Sequence, residues 1–217
     1  MNYRRDVWYS PRKILLRAAQ EETKLGAAFK KSPKYKAVIE ARAVALMLLG
    51  IEKIQGREYW LQIVDPVEQS PDIRTATHMI ETDNRLAYQD VEVVTLESHS
   101  PEDIDDFLKR TKLSSEKSYQ EDTIILCYID KNMATKPWSE INKALAALGR
   151  KYDIYVLGRT DAVEQNYQLV RVYPSIDHMI NYDAMEEAKK SARDTMRFER
   201  GTVKKASRDE NENHEPF

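Results

Sequence analysis

Residues Thr123 to Ile129 read Thr-Ile-Ile-Leu-Cys-Tyr-Ile, an apolar run without a break, bounded by Asp122 and Asp130. A strand with one wet face alternates apolar and polar side chains. A run that does not alternate is the pattern of a strand covered on both faces. Helices are the usual covers for such a strand, and helices placed between strands along a chain point to a mixed α/β sheet.

The rest of the chain supplies both kinds of element. Ile14, Leu15, Ala18, Leu25 and Phe29 recur at helical steps until Ser32-Pro33 interrupts them. A second helix is expected from about Lys36 to Leu49, with Gly50 as its C-terminal cap. Three runs rich in β-branched and aromatic residues follow, at Tyr59 to Val64, Ile73 to Ile80 and Ala87 to Leu96, with Thr82-Asp83-Asn84 turning between the last two. Ser100-Pro101-Glu102-Asp103 reads as a helix start, a Ser cap followed by Pro at the first helical position, and the helix should reach about Leu113.

After the Thr123 run come a helix at Ser139 to Leu148, strands at Asp153 to Gly158 and Tyr167 to Tyr173, and a charged helix from about Met179 to Arg197. The expected order is α-α-β-β-β-α-β-α-β-β-α. In domain terms, residues 1–35 form a basic helical extension, 36–178 an α/β core and 179–200 a C-terminal helix. Residues 201–217, almost without apolar content, are expected to be a disordered charged tail.

The 217 residues suffice for one sizeable core, and 32% of them are charged, which predicts a well-hydrated surface. No apolar run reaches the roughly 18 residues that cross a bilayer. The N-terminus lacks the apolar stretch and cleavage site of a secretory signal, so a cytoplasmic protein without a membrane span is expected. Cys127, the single cysteine, excludes an internal disulfide and reads as a buried strand residue. None of the four histidines has zinc-site spacing. Charge is uneven: residues 1–60 hold 13 Lys and Arg against 6 Asp and Glu, so the N-terminal quarter is the face that suits a polyanion.

The chemistry-bearing segment is Ser70-Pro71-Asp72-Ile73-Arg74, the turn, and Tyr88-Gln89-Asp90-Val91-Glu92-Val93-Val94. Side chains two apart on a strand share a face, so Asp90 and Glu92 point one way and Val91 and Val93 the other. A hairpin turning near Thr82 to Asn84 brings Asp72 within a few residues of both across the pair. Three carboxylates gathered without a counter-ion repel one another, and a hard cation with oxygen ligands resolves the repulsion.

This pattern resembles the PD-(D/E)xK nuclease superfamily, the restriction endonuclease-like fold, in which Pro-Asp opens one strand, an acid-x-Lys follows on the next, and the core order is α-β-β-β-α-β. The resemblance covers about Lys36 to Ile129. It implies that Asp72, Asp90 and Glu92 are catalytic residues and, with Glu40 of the preceding helix, hold Mg²⁺ or Mn²⁺. It also implies a DNA substrate, with RNA as the other nucleic acid, and a homodimer, since many members dimerise. With Asp90 as the motif acid, Glu92 stands in the lysine position; with Glu92 as the acid, Val94 stands there. Lys131, or Arg74 on the face of Asp72, would then supply the positive charge, and Lys30, Lys31, Lys34 and Lys36 would contact phosphates.

Blander readings accompany each residue. Ser-Pro-Asp is common turn chemistry. Charge alternating with valine is the ordinary look of a half-exposed strand. Glu40 beside Lys36 forms a surface helix pair, and basic stretches are often solvated faces. Three functions remain open: a metal-dependent endonuclease, a degenerate nuclease-like fold that binds nucleic acid or protein without cutting, and a small α/β interaction domain. A basic residue within reach of the acids would separate the first from the second.

Overall fold

The computed structural model describes residues 7–26, 28–31, 35–64, 72–78, 86–97, 102–114, 119–120, 122–129, 136–149, 151–160, 165–191, 193–196 and 203–205. Among them the element order is β1 (Trp8–Tyr9), α1 (Pro11–Leu25), α2 (Ala28–Lys31), α3 (Lys36–Gln55), β2 (Tyr59–Ile63), β3 (Ile73–His78), β4 (Leu86–Leu96), α4 (Ile104–Thr111), β5 (Ile124–Ile129), α5 (Trp138–Ala146), β6 (Asp153–Arg159), β7 (Asn166–Tyr173), β8 (Asp177–Asp183), α6 (Ala184–Lys189), β9 (Thr195–Met196) and β10 (Val203–Lys205). The strands form one mixed sheet in the order β8-β7-β6-β5-β4-β3-β2-β1-β9, with β10 alongside β4. Pairing is parallel for β4-β5 and β5-β6 and antiparallel for β2-β3, β3-β4, β6-β7 and β7-β8.

As the unbroken apolar run predicts, β5 is covered on both faces. Ile124 and Leu126 join the core beneath α1, α3 and α6, whereas Ile125, Cys127 and Ile129 join the core beneath α4 and α5. Cys127 is fully buried, and burial pushes its thiol up to about 12. The first core is built around α3, whose residues from Ala43 to Ile51 are all buried; a helix apolar on every side has neighbours on every side.

Several sequence expectations need correction. Gly50 does not end α3, which runs on to Gln55 and is capped by Gly56 at φ 66. A Cβ at Gly50 would lie 2.8 Å from Leu169 Cδ2 and 3.0 Å from Tyr182 Cε1, so this glycine serves close packing. The expected start of α4 at Ser100-Pro101 lies outside the described residues; the helix begins at Ile104, with Asp103 at the N-cap.

The expected helix from Met179 to Arg197 is not formed. Residues 177–183 are β8, paired with β7, and only Ala184–Lys189 are helical, capped by the Asp183 carboxylate on Met185 and Glu186 N–H. Ile180 and Tyr182 follow a strand period into the core, and the charges after residue 185 masked that alternation. Among the described residues of the N-terminal stretch, β1 pairs with β2 and α1 packs on α3. Val203–Lys205 of the expected tail pair in parallel with Leu86–Tyr88; residues 206–217 lie outside the described residues.

β4, with 11 residues, organises the centre. Its first part lies between β3 and β10, and its second part pairs with β5 from Val91 onward. Pairing with β3 stops at Ile73 opposite Val91, so beyond that point the β3 side of β4 is left to other partners.

Candidate functional site

The fork between β3 and β4 gathers the acidic residues. Asp72 stands just before β3, and its Oδ2 accepts a hydrogen bond from the backbone N–H of Val93 at 3.0 Å. The carboxylate thereby takes the place of the missing strand partner, which fixes its position better than an exposed turn would.

Glu92 is in register with Ile125, hence on the α4 and α5 face of the sheet. It is only 4% exposed. An unpaired carboxylate so buried costs several kcal/mol. Its counter-charge is Lys112, the C-cap residue of α4, whose Nζ lies 2.7 Å from Glu92 Oε2 and 3.6 Å from Asp72 Oδ2. Tyr119 completes this side, with its ring centroid 6.0 Å from the Lys112 ammonium. Burial, and then the charges of Glu92 and Asp72, hold the Tyr119 proton well above the ordinary phenol range.

From the other face of the sheet comes Glu40 on α3, paired with Lys36 at 3.2 Å. Burial first, then the charge of Asp72, raises Glu40 to about 7, against the lowering pull of Lys36 and Lys112. Asp72 is thus approached from both faces, by Glu40 and by Lys112.

Asp90 has a different partner from Glu92. It is directly opposite Arg74 in the ladder, and the Arg74 Nε lies 3.1 Å from its Oδ1. The guanidinium also lies 5.8 Å from the centre of the Tyr88 ring, beside the small cluster of Trp8, Trp60 and Ala76. The α4-side face therefore carries a polar strip of Arg74, Asp90, Glu92 and Lys112 between two apolar clusters.

Arg74 is thus committed to Asp90, and Lys131 lies outside the described residues. Of the basic residues assigned to phosphates, Lys30 and Lys31 are on α2, Lys36 opens α3, and Lys34 lies outside the described residues. Lys112 and Tyr119 escaped the sequence reading. They lie 20 and 27 positions beyond Glu92, outside any local motif; the packing of α4 beside β4 returns Lys112 to it, and contacts with Tyr152 hold Tyr119 there.

Among the described residues, the one trio of metal-capable groups with all donor atoms within 4.8 Å is Asp103, Asp105 and Asp106, so Asp72, Asp90 and Glu92 do not converge that closely. Asp105 is held by Lys109 at 3.1 Å and Lys136 at 3.4 Å. Burial pushes its carboxyl up, but the two ammonium groups win and keep it below the usual range. The trio reads as the charged start of a helix locked by lysines.

Compared with family models, with curated proteins and with solved structures, the chain matches none. What stands independently of any relative is the mixed α/β fold. Among the described residues, no helix is long and apolar enough to cross a membrane.

Proposed function

We propose that the chain is a metal-dependent endonuclease that hydrolyses phosphodiester bonds in DNA, of the PD-(D/E)xK type. One observation carries the reading: an ammonium group, that of Lys112, stands 2.7 Å from Glu92 and 3.6 Å from Asp72. With Glu92 as the motif acid, β4 offers only Val94 in the lysine position, and the end of α4 brings the charge in from elsewhere. The succession α3, β2, β3, β4, α4, β5, with β2 to β4 antiparallel and β4-β5 parallel, supports the same reading.

Asp72, Glu92 and Glu40 offer carboxyl oxygens alone, the donors that a hard cation takes, and a bound cation would have to draw them together, since their donor atoms do not all lie within 4.8 Å of one another. Mg²⁺ or Mn²⁺ held by these residues would offset the charge that builds on the phosphoryl oxygens and lower the pKa of the attacking water. Asp90 is a lesser candidate, since Arg74 already neutralises it. Asp72 is held in place by Val93 N–H, and Lys112 is positioned to donate to a developing oxyanion or to orient water. The net positive N-terminal quarter would hold the DNA backbone.

The test is nicking of supercoiled plasmid in Mn²⁺, with melting in the same metal as a control for binding. The parent should nick and be stabilised by Mn²⁺, while Asp72→Asn and Glu92→Gln should lose at least about 100-fold in rate, the scale of a removed electrostatic group. A second reading, binding without cutting, is favoured by the Lys112 ammonium already compensating both acids. A parent that retains DNA but nicks nothing in any divalent metal selects that second reading.

A further inference from the structure

Resting on the reading of the Asp72 and Glu92 site above, we propose that Tyr119 is a positioning residue, whose ring face keeps the Lys112 ammonium between the two carboxylates. A lysine ends in a compact charge on a flexible four-carbon stem, so two carboxylates on one side do not by themselves hold it in one place. The ring of Tyr119, its centroid 6.0 Å from Nζ, supplies a third contact of a different kind. A cation over an aromatic face is attracted by the ring's electron cloud, more strongly as water is removed, and the Lys112 side chain is only 13% exposed.

The ring is itself held. The Tyr152 hydroxyl accepts the backbone N–H of Tyr119 at 3.0 Å and lies 3.3 Å from the Tyr119 carbonyl, to which it donates. The two rings meet edge to face at 5.6 Å, and Tyr152 is rooted in the core beneath α4 and α5. This clasp joins the chain before β5 to the start of β6 and aims one aromatic face at Lys112. The ring does this task, not the hydroxyl, so Phe should replace Tyr119 and Leu should not.

The test is acylation of lysines by a small N-hydroxysuccinimide acetate, mapped by mass spectrometry on the parent, Tyr119→Phe, Tyr119→Leu and Tyr152→Phe. Lys36, with 71% of its side chain exposed, is the internal reference. Relative to Lys36, Lys112 should react slowly in the parent and in Tyr119→Phe, and about 3-fold faster or more in Tyr119→Leu and Tyr152→Phe, as loss of a contact of this kind implies. Lys112 at its parental rate in both of these variants overturns the proposal, and having two variants guards against one that fails to fold. Plasmid nicking is read in parallel: kcat should fall in Tyr119→Leu with KM unchanged and return in Tyr119→Phe. A parent without nicking sinks the nuclease reading, and the acylation pattern decides the role of Tyr119 separately.

Discussion

Glu92 and Glu52 show two ways in which this fold accommodates a buried acid. Glu92 is compensated by Lys112, and breaking a buried pair from one side costs about 3 to 5 kcal/mol because the remaining charge loses the ammonium that lies 2.7 Å from it. Lys112→Met should therefore destabilise the protein by about 3 kcal/mol in urea, and Lys112→Met with Glu92→Gln should recover most of the loss. Additive losses in the double variant would show that the two groups are independent. Among the described residues no cation holds Glu52 in this way; burial raises it to about 7, although its Oε1 accepts the Tyr59 N–H at 2.8 Å. The unfolded chain keeps it at 4.5, so between those values the folded state binds more protons and stability falls as pH rises. Below the unfolded value both states are protonated and nothing is lost; above about 7 the full penalty, at most about 3 kcal/mol, is present. Glu52→Gln, which can still accept from Tyr59, should melt higher than the parent at pH 8 and level with it at pH 4. Equal melting at pH 8 would refute this. Neither environment is written in the local sequence, because the neighbours that desolvate each acid come from other elements.

At the scale of elements, the strands β2 to β7 and helix α5 lie where composition and period place them, because each answers to its own apolar pattern. The failures occur where tertiary packing overrode a local signal. Gly50 looked like a cap, yet it sits inside α3 against Leu169 and Tyr182. Gly50→Ala gains about 1 kcal/mol of helix propensity but must displace both side chains, and overpacking costs about 1 to 3 kcal/mol. The variant should lose about 1 kcal/mol in urea denaturation; a gain would mean that Leu169 and Tyr182 yield freely. β8 departs from its local signal for a related reason: the run of charges after Asp183 resembles a long helix, while pairing with β7 claims the residues before it. The fork at β4 was legible only in part. The register expected for the hairpin did bring Asp90 opposite the Asp72 strand, but its direct partner is Arg74, and it was the end of α4 that brought a lysine to Glu92.

Over the whole molecule, the first strand and a late one meet at one sheet edge. β9 pairs with β1, Ser10 N–H donates to the Asp194 carbonyl at 3.0 Å, and Lys13 lies 3.3 Å from the Asp194 carboxylate. A chain ended after Ser191 loses these contacts and the β10 pairing with β4, and at about 1 kcal/mol net per backbone hydrogen bond it should lose about 2 to 3 kcal/mol. For a chain of this size that is a fall of about 5 to 10 °C in Tm by calorimetry, with the α/β core still folding. An unchanged Tm would show that the C-terminal strands add nothing. The order of residues was enough to indicate a mixed α/β fold, because apolar period and turn chemistry act over a few residues and select strand or helix locally. It also determined that Asp90 and Glu92 share a face, since that follows from the two-residue repeat of any strand. Which charges meet became visible in the folded chain alone: Arg74 with Asp90, and Lys112 with Glu92 and Asp72. Those pairings depend on the packing of separate elements, and distance along the chain carries no information about them.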